Sequence, residues 1–336
     1  MSDSRFNYLA EKISDAKFTD HPFKHIYIEN FLSESDFKEI ISAEEINLKK
    51  ANSDEDLFNK LFEQSYEIVP FAGCTVDKEQ YLRWHAGNKS SVDFNTACGG
   101  FGMALRLNNP KTEILTKIKE FLAGDLFNQT ISKKLGHNME DKIVDNGIQK
   151  YLDGYEISPH PDIRKKAVTF MININPHENA EELEHHAGLL EFIPEREYIK
   201  TFWQGNNNVD RCLMPWDWFT VHKTQNKNNS LVLFAPSNDT LHAVKASYDH
   251  LNAQRTQLYG NIWHKNNQAS EKSSWKELDI LEILKKKHKT NKSVEALKKL
   301  VPSGLKKLIV NAVSRNDLKF ENDPHVNISR LKNWRE

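Results

Sequence analysis

Hydrophobic positions change their spacing several times along this chain, and each change predicts a different element. Residues 22–32 read as a strand, and Ser33-Glu34-Ser35-Asp36 then caps a helix through about Ala43, with Asp36 three residues after Ser33. Residues 45–95 are polar and weakly patterned, which predicts loops and short helices. Cys98-Gly99-Gly100-Phe101-Gly102 lacks the Gly-x-Gly-x-x-Gly spacing of a phosphate-cradling turn, so it reads as a glycine-rich lead into a strand over Met103–Leu107. Residues 111–135 carry helical periodicity, with Ile114, Ile118, Phe121 and Leu122 on one stripe. From about 148 to 264 the pattern becomes short strands separated by Pro, Gly and Asn clusters, as in a jelly roll. Within Val168 to Ile174, period two separates Val168, Phe170, Ile172 and Ile174, expected in the core, from Thr169, Met171 and Asn173, expected to line the barrel mouth. Beyond 270 the chain turns basic and helical, with Lys285-Lys286-Lys287-His288-Lys289 between two predicted helices and Pro302 breaking the pattern.

Composition narrows the classes. A chain of 336 residues can bury one substantial core with additions, and a formal net charge of −1 gives no global field to draw nucleic acid or membrane. Hydrophobic residues make up 38%, which fits long polar loops, and runs such as Leu231 to Ala235 are far too short to span a bilayer. Met1-Ser2-Asp3-Ser4-Arg5 lacks the basic-then-apolar plan of a signal peptide, so a cytoplasmic protein is expected. Cys74, Cys98 and Cys212 are too far apart for a Cys-x-x-Cys motif, and their odd number argues for reduced structural thiols.

The chemistry concentrates in His160-Pro161-Asp162, followed eighty residues after the aspartate by His242 and then by Arg255. Two imidazoles and one carboxylate are the ligand set of a facial iron(II) site. On a strand, residues two apart share a face, so His160 and Asp162 could grip one metal while a distant strand brings His242 alongside. His250 and the pair His185-His186 compete as third ligand. His242 is preferred because it follows an apolar strand, Ser230 to Ala235, and precedes the arginine-led strand Arg255 to Trp263.

In the order Tyr151-x-x-Gly154, His160-x-Asp162, a strand, a distal His242 and then Arg255, the chain resembles the iron(II)- and 2-oxoglutarate-dependent oxygenases, in particular the prolyl-4-hydroxylase-like branch. The match covers roughly residues 145–265, with an echo at Phe23-Lys24-His25-Ile26-Tyr27-Ile28-Glu29-Asn30-Phe31-Leu32. It departs from the family at Gly188-Leu189-Leu190, where one glycine is missing, and in the spacing of thirteen from His242 to Arg255, where about ten is usual. The resemblance implies an α+β fold dominated by β: a double-stranded β-helix (jelly roll, cupin-like) over 145–265, an N-terminal strand and helices over 1–144, and a basic helical extension over 266–336. It implies iron(II) on His160, Asp162 and His242, with O2 and 2-oxoglutarate as co-substrates. It also implies that Arg255 pairs with the distal carboxylate of 2-oxoglutarate and that Tyr151 and Asn173 donate hydrogen bonds there. The activity implied is hydroxylation of an unactivated C–H bond with release of succinate and CO2, or demethylation through a hydroxylated product.

Two other classes stay open: a cupin-type metal enzyme that does not use 2-oxoglutarate, and a non-catalytic scaffold. The insertion over 195–230, with Tyr198, Phe202, Trp203, Trp216, Trp218 and Phe219, reads either as a substrate-recognition loop or as rings that anchor the loop on the barrel. The basic extension reads first as solvated lysines on packed helices and second as a docking surface for a partner or anionic lipid. The catalytic region shows no basic stripe, which favours a small-molecule or saccharide substrate, with a protein side chain as the alternative, over nucleic acid.

Overall fold

A computed structural model describes residues 4–69, 77–87, 102–163, 165–176, 185–199 and 213–265, the last but one group with backbone alone for 185–187. The glycine-rich run over 98–101, Phe202, Trp203 and the basic extension lie outside the described residues.

Eleven strands are described: β1 (Ile26–Glu29), β2 (Tyr66–Ile68), β3 (Ala104–Leu107), β4 (Lys142–Tyr151), β5 (Glu156–His160), β6 (Lys166–Asn173), β7 (His185–Phe192), β8 (Phe219–Thr224), β9 (Ser230–Phe234), β10 (His242–Ala246) and β11 (Arg255–His264). They form a seven-stranded sheet in the order β1-β9-β6-β11-β4-β3-β2 and a four-stranded sheet in the order β5-β10-β7-β8, with antiparallel pairing throughout. From β4 to β11 the chain passes repeatedly between the sheets, so that β4, β6, β9 and β11 lie in the large one and β5, β7, β8 and β10 in the small one. This is the double-stranded β-helix expected from the sequence, extended at both edges of the large sheet. The turn from β4 to β5 needs Gly154, which has φ +76 and where a Cβ would fall 2.3 Å from the Trp84 ring.

Strand parity gives the large sheet two unlike faces. Val168, Phe170 and Ile172 join the main core, where Phe170 meets Phe127 edge-on at 5.1 Å. That core is covered by helices α1 (Asn7–Asp15), α2 (Glu34–Ser42), α3 (Asp54–Glu63), α4 (Lys78–Ala86), α5 (Glu113–Ala123) and α6 (Asp125–Lys134). The cap foreseen for α2 forms, with Ser33 Oγ accepting from Asp36 N at 3.1 Å. Helix α1 was not foreseen; it buries Leu9, Ala10 and Ile13 and packs on α6. The single helical stripe over 111–135 is two helices that meet at Gly124. A Cβ there would press on the carbonyl oxygens of Glu120 and Phe121 at 3.2 Å, and Asn128 Nδ2 satisfies the freed carbonyls of Leu122 and Gly124 at 2.9 and 2.8 Å. The stripe runs on across the break because Phe121 and Phe127 still pack together, ring centres 5.5 Å apart. Among the described residues no helix is long and apolar enough to cross a membrane.

One polar group is sealed between the large sheet and the helices. Lys150 Nζ, fully buried, donates to the Ile46 carbonyl at 2.7 Å and the Thr256 hydroxyl at 2.8 Å. Burial pushes its pKa down from 10.5 to about 7. The folded value lies below the unfolded one, so between them the unfolded chain binds more protons and stability rises with pH. Chemical denaturation of the wild type is therefore expected to show stability increasing between about pH 7 and pH 10.5, and Lys150→Met is expected to flatten that slope. An unchanged slope in the variant would contradict this reading.

Candidate metal centre

Strand β5 ends on His160 and strand β10 begins on His242, and their antiparallel register sets the two histidines opposite each other. The ring centres are 4.5 Å apart. Asp162 lies beyond the end of β5 and not on the strand as expected, because Pro161 has no N–H for the ladder and ends the pairing. The turn nevertheless returns its carboxylate to the histidines: Oδ2 is 3.8 Å from His242 Nε2, and one ligand atom from each of the three residues lies within 4.8 Å of the others. All three side chains are buried.

Hydrogen bonding selects the tautomers. His160 Nδ1 is 2.7 Å from the Ser158 carbonyl and His242 Nδ1 is 2.8 Å from the Thr240 carbonyl. A carbonyl oxygen only accepts, so each Nδ1 carries the proton and each Nε2 keeps a lone pair for a metal. Asp162 is braced on both oxygens, Oδ1 accepting from Lys166 Nζ at 2.6 Å and Oδ2 from the Thr169 hydroxyl at 2.7 Å. Burial would raise the Asp162 pKa, but the charges of Lys166, His242 and His160 and the Lys166 hydrogen bond outweigh it and hold the carboxyl well below the usual range. Burial also opposes the charge on Lys166, yet Asp162 beside it, with help from Tyr259, raises its pKa. The ammonium further stands 5.5 Å from the Trp263 ring and 3.2 Å from the Tyr259 hydroxyl.

Arg255 opens β11 directly opposite Tyr151 on β4. Its guanidinium is fully buried, lies 4.4 Å over the Tyr151 ring, and has no hydrogen-bond partner for Nε, Nη1 or Nη2 among the described residues. Burial lowers its pKa to about 10, against the opposing pull of Tyr151, Tyr155 and Tyr248. Five buried donors without an acceptor among the described residues are strongly unfavourable, and a planar anion is the chemistry that could pair with them.

Period two continues this face along the sheet. Gln149 and Gln257 are a cross-strand pair beside Tyr151 and Arg255, and Gln257 in turn opposes Asn173. The Tyr151 hydroxyl donates to Gln149 Oε1 at 3.1 Å. Asn173 donates to the carbonyls of Gln225 and Lys227 at 3.1 and 3.0 Å and accepts from Gln257 Nε2 at 2.7 Å, so its amide braces the approach to β9. Thr169, on the same face, reaches Asp162. The sequence reading left out Lys166, Gln149 and Gln257 as site residues. Parity with Tyr151 and Arg255 was the available signal for the two glutamines.

The competing histidines stand elsewhere. The backbones of His185 and His186 pair with Ala246 and Lys245, whereas Leu189 is the residue opposite His242. His250 joins a network of its own with Asp54 of α3, His85 of α4 and Asp153. His250 Nδ1 accepts from the Asp153 backbone N–H at 3.0 Å, which places its proton on Nε2, donated to Asp54 Oδ1 at 2.8 Å. His85 spans two carboxylates, Asp54 at 2.6 Å and Asp153 at 2.9 Å. With the His250 Nε2 lone pair taken by a proton, this group is a hydrogen-bonded tie between the helices and the β10–β11 connection.

The described part of the aromatic insertion packs on the outer face of the small sheet, opposite the histidines. Trp216, Trp218 and Phe219 cluster with Leu190, Phe192, Met214 and Leu241, and Trp216 Nε1 donates to Glu156 Oε1 at 2.6 Å. These three rings anchor the insertion.

No family model matches the chain, and no curated protein matches its sequence. Among solved structures it aligns with a Pseudomonas putida prolyl-4-hydroxylase at 13% identity and TM-score 0.38, over 78% of this chain and 100% of that one. It also aligns with a Trichoplax adhaerens prolyl hydroxylase in complex with a hypoxia inducible factor oxygen degradation domain peptide fragment, at 14% identity and TM-score 0.35, over 79% and 90% of the two chains. A third alignment, at 8% identity and TM-score 0.37 over 77% and 83%, is with the epimerase SnoN in complex with Fe3+, alpha ketoglutarate and nogalamycin RO. At these levels of identity and overlap, the chemistry of the present chain has to be read from its own side chains.

Proposed function

We propose that this chain is an iron(II)- and 2-oxoglutarate-dependent oxygenase that hydroxylates an unactivated C–H bond of a small-molecule or saccharide substrate. The observation that carries the reading is the buried guanidinium of Arg255, without a hydrogen-bond partner among the described residues, on the same sheet face as Thr169, which braces the Asp162 carboxylate of the buried triad. A metal site alone has no use for such a cation; a cosubstrate that is both a metal chelator and a carboxylate uses both. The donor set fits iron(II), with two Nε2 lone pairs and one carboxylate on one side.

When bound, iron would activate O2, the oxidant, with one oxygen atom used in the oxidative decarboxylation of 2-oxoglutarate to succinate and CO2 and the other turning a C–H bond into C–OH. The residues of the chain hold and orient. His160 and His242 present fixed Nε2 atoms, each ring aimed by its own Nδ1–H. Lys166 and Thr169 fix the plane of Asp162. Arg255 takes the distal carboxylate through its planar fork, and the rings of Tyr151 and Tyr155 keep water from it. The Tyr151 hydroxyl turns from Gln149 toward the same carboxylate. The sequence over 145–265 carries no basic stripe, which favours this substrate class over nucleic acid.

Anaerobic addition of iron(II) and then 2-oxoglutarate is expected to give the weak visible charge-transfer band of a chelated oxo-acid, which His160→Ala should abolish. Iron binding without the band would instead mark a cupin-type enzyme, and binding of neither ligand a scaffold. Arg255→Met is expected to weaken 2-oxoglutarate roughly 100-fold while leaving the metal bound, and to stabilise the ligand-free protein by removing an unpaired buried cation. Unweakened 2-oxoglutarate would remove Arg255 from its role.

Lys166 has a sharper signature. It is the counter-ion of Asp162 when no metal is bound, so Lys166→Met should cost the metal-free protein about 3–5 kcal/mol. Metal returns a positive charge to the stranded carboxylate, so the metal-induced rise in Tm should be larger in the variant than in the wild type. Equal losses with and without metal would reduce Lys166 to an ordinary packing contact.

A further inference from the structure

We propose that His21, Glu191 and His222 form a second metal site, on the protein surface, which takes a late transition-metal dication and clamps the segment before β1 to the edge of the small sheet. The three residues come from three separate segments: the approach to β1, strand β7 and edge strand β8. One ligand atom from each lies within 4.8 Å of the others. His21 Nε2 is 3.1 Å from His222 Nδ1 and 3.7 Å from Glu191 Oε2, and His222 Nε2 is 2.7 Å from the same carboxylate oxygen.

The proton positions leave room for a cation. His21 Nε2 and His222 Nδ1, 3.1 Å apart, share a single hydrogen, so one of the two nitrogens is a lone pair. A metal can replace the one hydrogen between these two nitrogens. Two nitrogens 3.1 Å apart, each about 2.05 Å from a common ion, subtend roughly 100°, between the octahedral and tetrahedral angles. Glu191 is half-exposed and can turn its carboxylate to supply the third donor.

An imidazole-rich set selects zinc, nickel or copper over magnesium and calcium, which want oxygen. The exposure of the group, with His21 at 61% and Glu191 at 49%, leaves the remaining coordination positions to water. Without an ion, these exposed side chains add only weak, solvent-screened contacts to the Thr19–His25 backbone bridge and the buried Phe23 that hold the segment. With one, three segments are tied at the open side of β8, where Val221 is exposed and the strand has no outer neighbour among the described residues. The clamped segment carries Phe23, whose ring meets Phe234, which in turn meets His242, at 5.4 and 5.1 Å between centres.

The test is independent of the oxygenase reading, because it starts from a protein whose buried triad is already broken. Zinc(II) is titrated calorimetrically into His160→Ala and into the same protein carrying in addition His21→Ala or His222→Ala, with circular dichroism to verify folding. The proposal expects one zinc equivalent in His160→Ala that is lost in both double variants, and no binding when magnesium(II) replaces zinc. Zinc binding of equal stoichiometry and affinity in all three proteins, or none in His160→Ala, would overturn it. The residues are exposed, and circular dichroism separates loss of the site from loss of the fold.

Discussion

Strands β5 and β10 pair in the register that puts His242 against His160, and that one antiparallel rung fixes what the rest of the centre can be. It brings together two imidazoles eighty-two residues apart in the chain at 4.5 Å between ring centres. The same rung lets each ring point its Nδ1 proton back at the carbonyl two residues earlier in its own segment, so both tautomers are set by backbone and not by a mobile partner. The turn at Pro161 adds the carboxylate, and the large sheet behind it supplies Thr169 and Lys166.

Charge balance is the second constraint. The buried centre holds an anion, Asp162, with a cation, Lys166, already on it, whereas the buried cation Arg255 has, among the described residues, tyrosines around it and no carboxylate. A folded chain rarely keeps an unpaired buried guanidinium, because its desolvation is offset by nothing inside the protein. The arrangement is reasonable for a site built to receive an anion and a metal together. Tyr248 connects this part to the rest of the fold. Its hydroxyl donates to the Tyr151 carbonyl and accepts from the Arg255 backbone N–H at 3.0 Å, while its own N–H rests on Asp153. Asp153 belongs in turn to the His85 and His250 network that reaches helices α3 and α4.

Much of this was legible from residue spacing. Alternation over Val168–Ile174 separated core from cavity residues because a strand has no other way to present its side chains, and the order of Tyr151, His160, Asp162, His242 and Arg255 carried the resemblance to one family, with two other classes left open. What stayed hidden depends on turns and on the return path of the chain. Lys166 reaches Asp162 around a turn that period two does not describe. The Asp54, His85, Asp153 and His250 network assembles from four distant segments. The face of the small sheet covered by Trp216 and Trp218 is decided by how the chain returns into β8. The break at Gly124 was masked because both helices bury one continuous stripe.

The central claim is that the triad and Arg255 are two ends of one bound ligand. Anaerobic crystals grown with iron(II) and 2-oxoglutarate, measured at the iron absorption edge, test it most directly. The account predicts an anomalous peak within bonding distance of His160 Nε2, His242 Nε2 and an Asp162 oxygen, and a carboxylate forked on Arg255 from the molecule that chelates that ion. Iron on the triad with Arg255 still unpaired, or 2-oxoglutarate bound away from both, would contradict it.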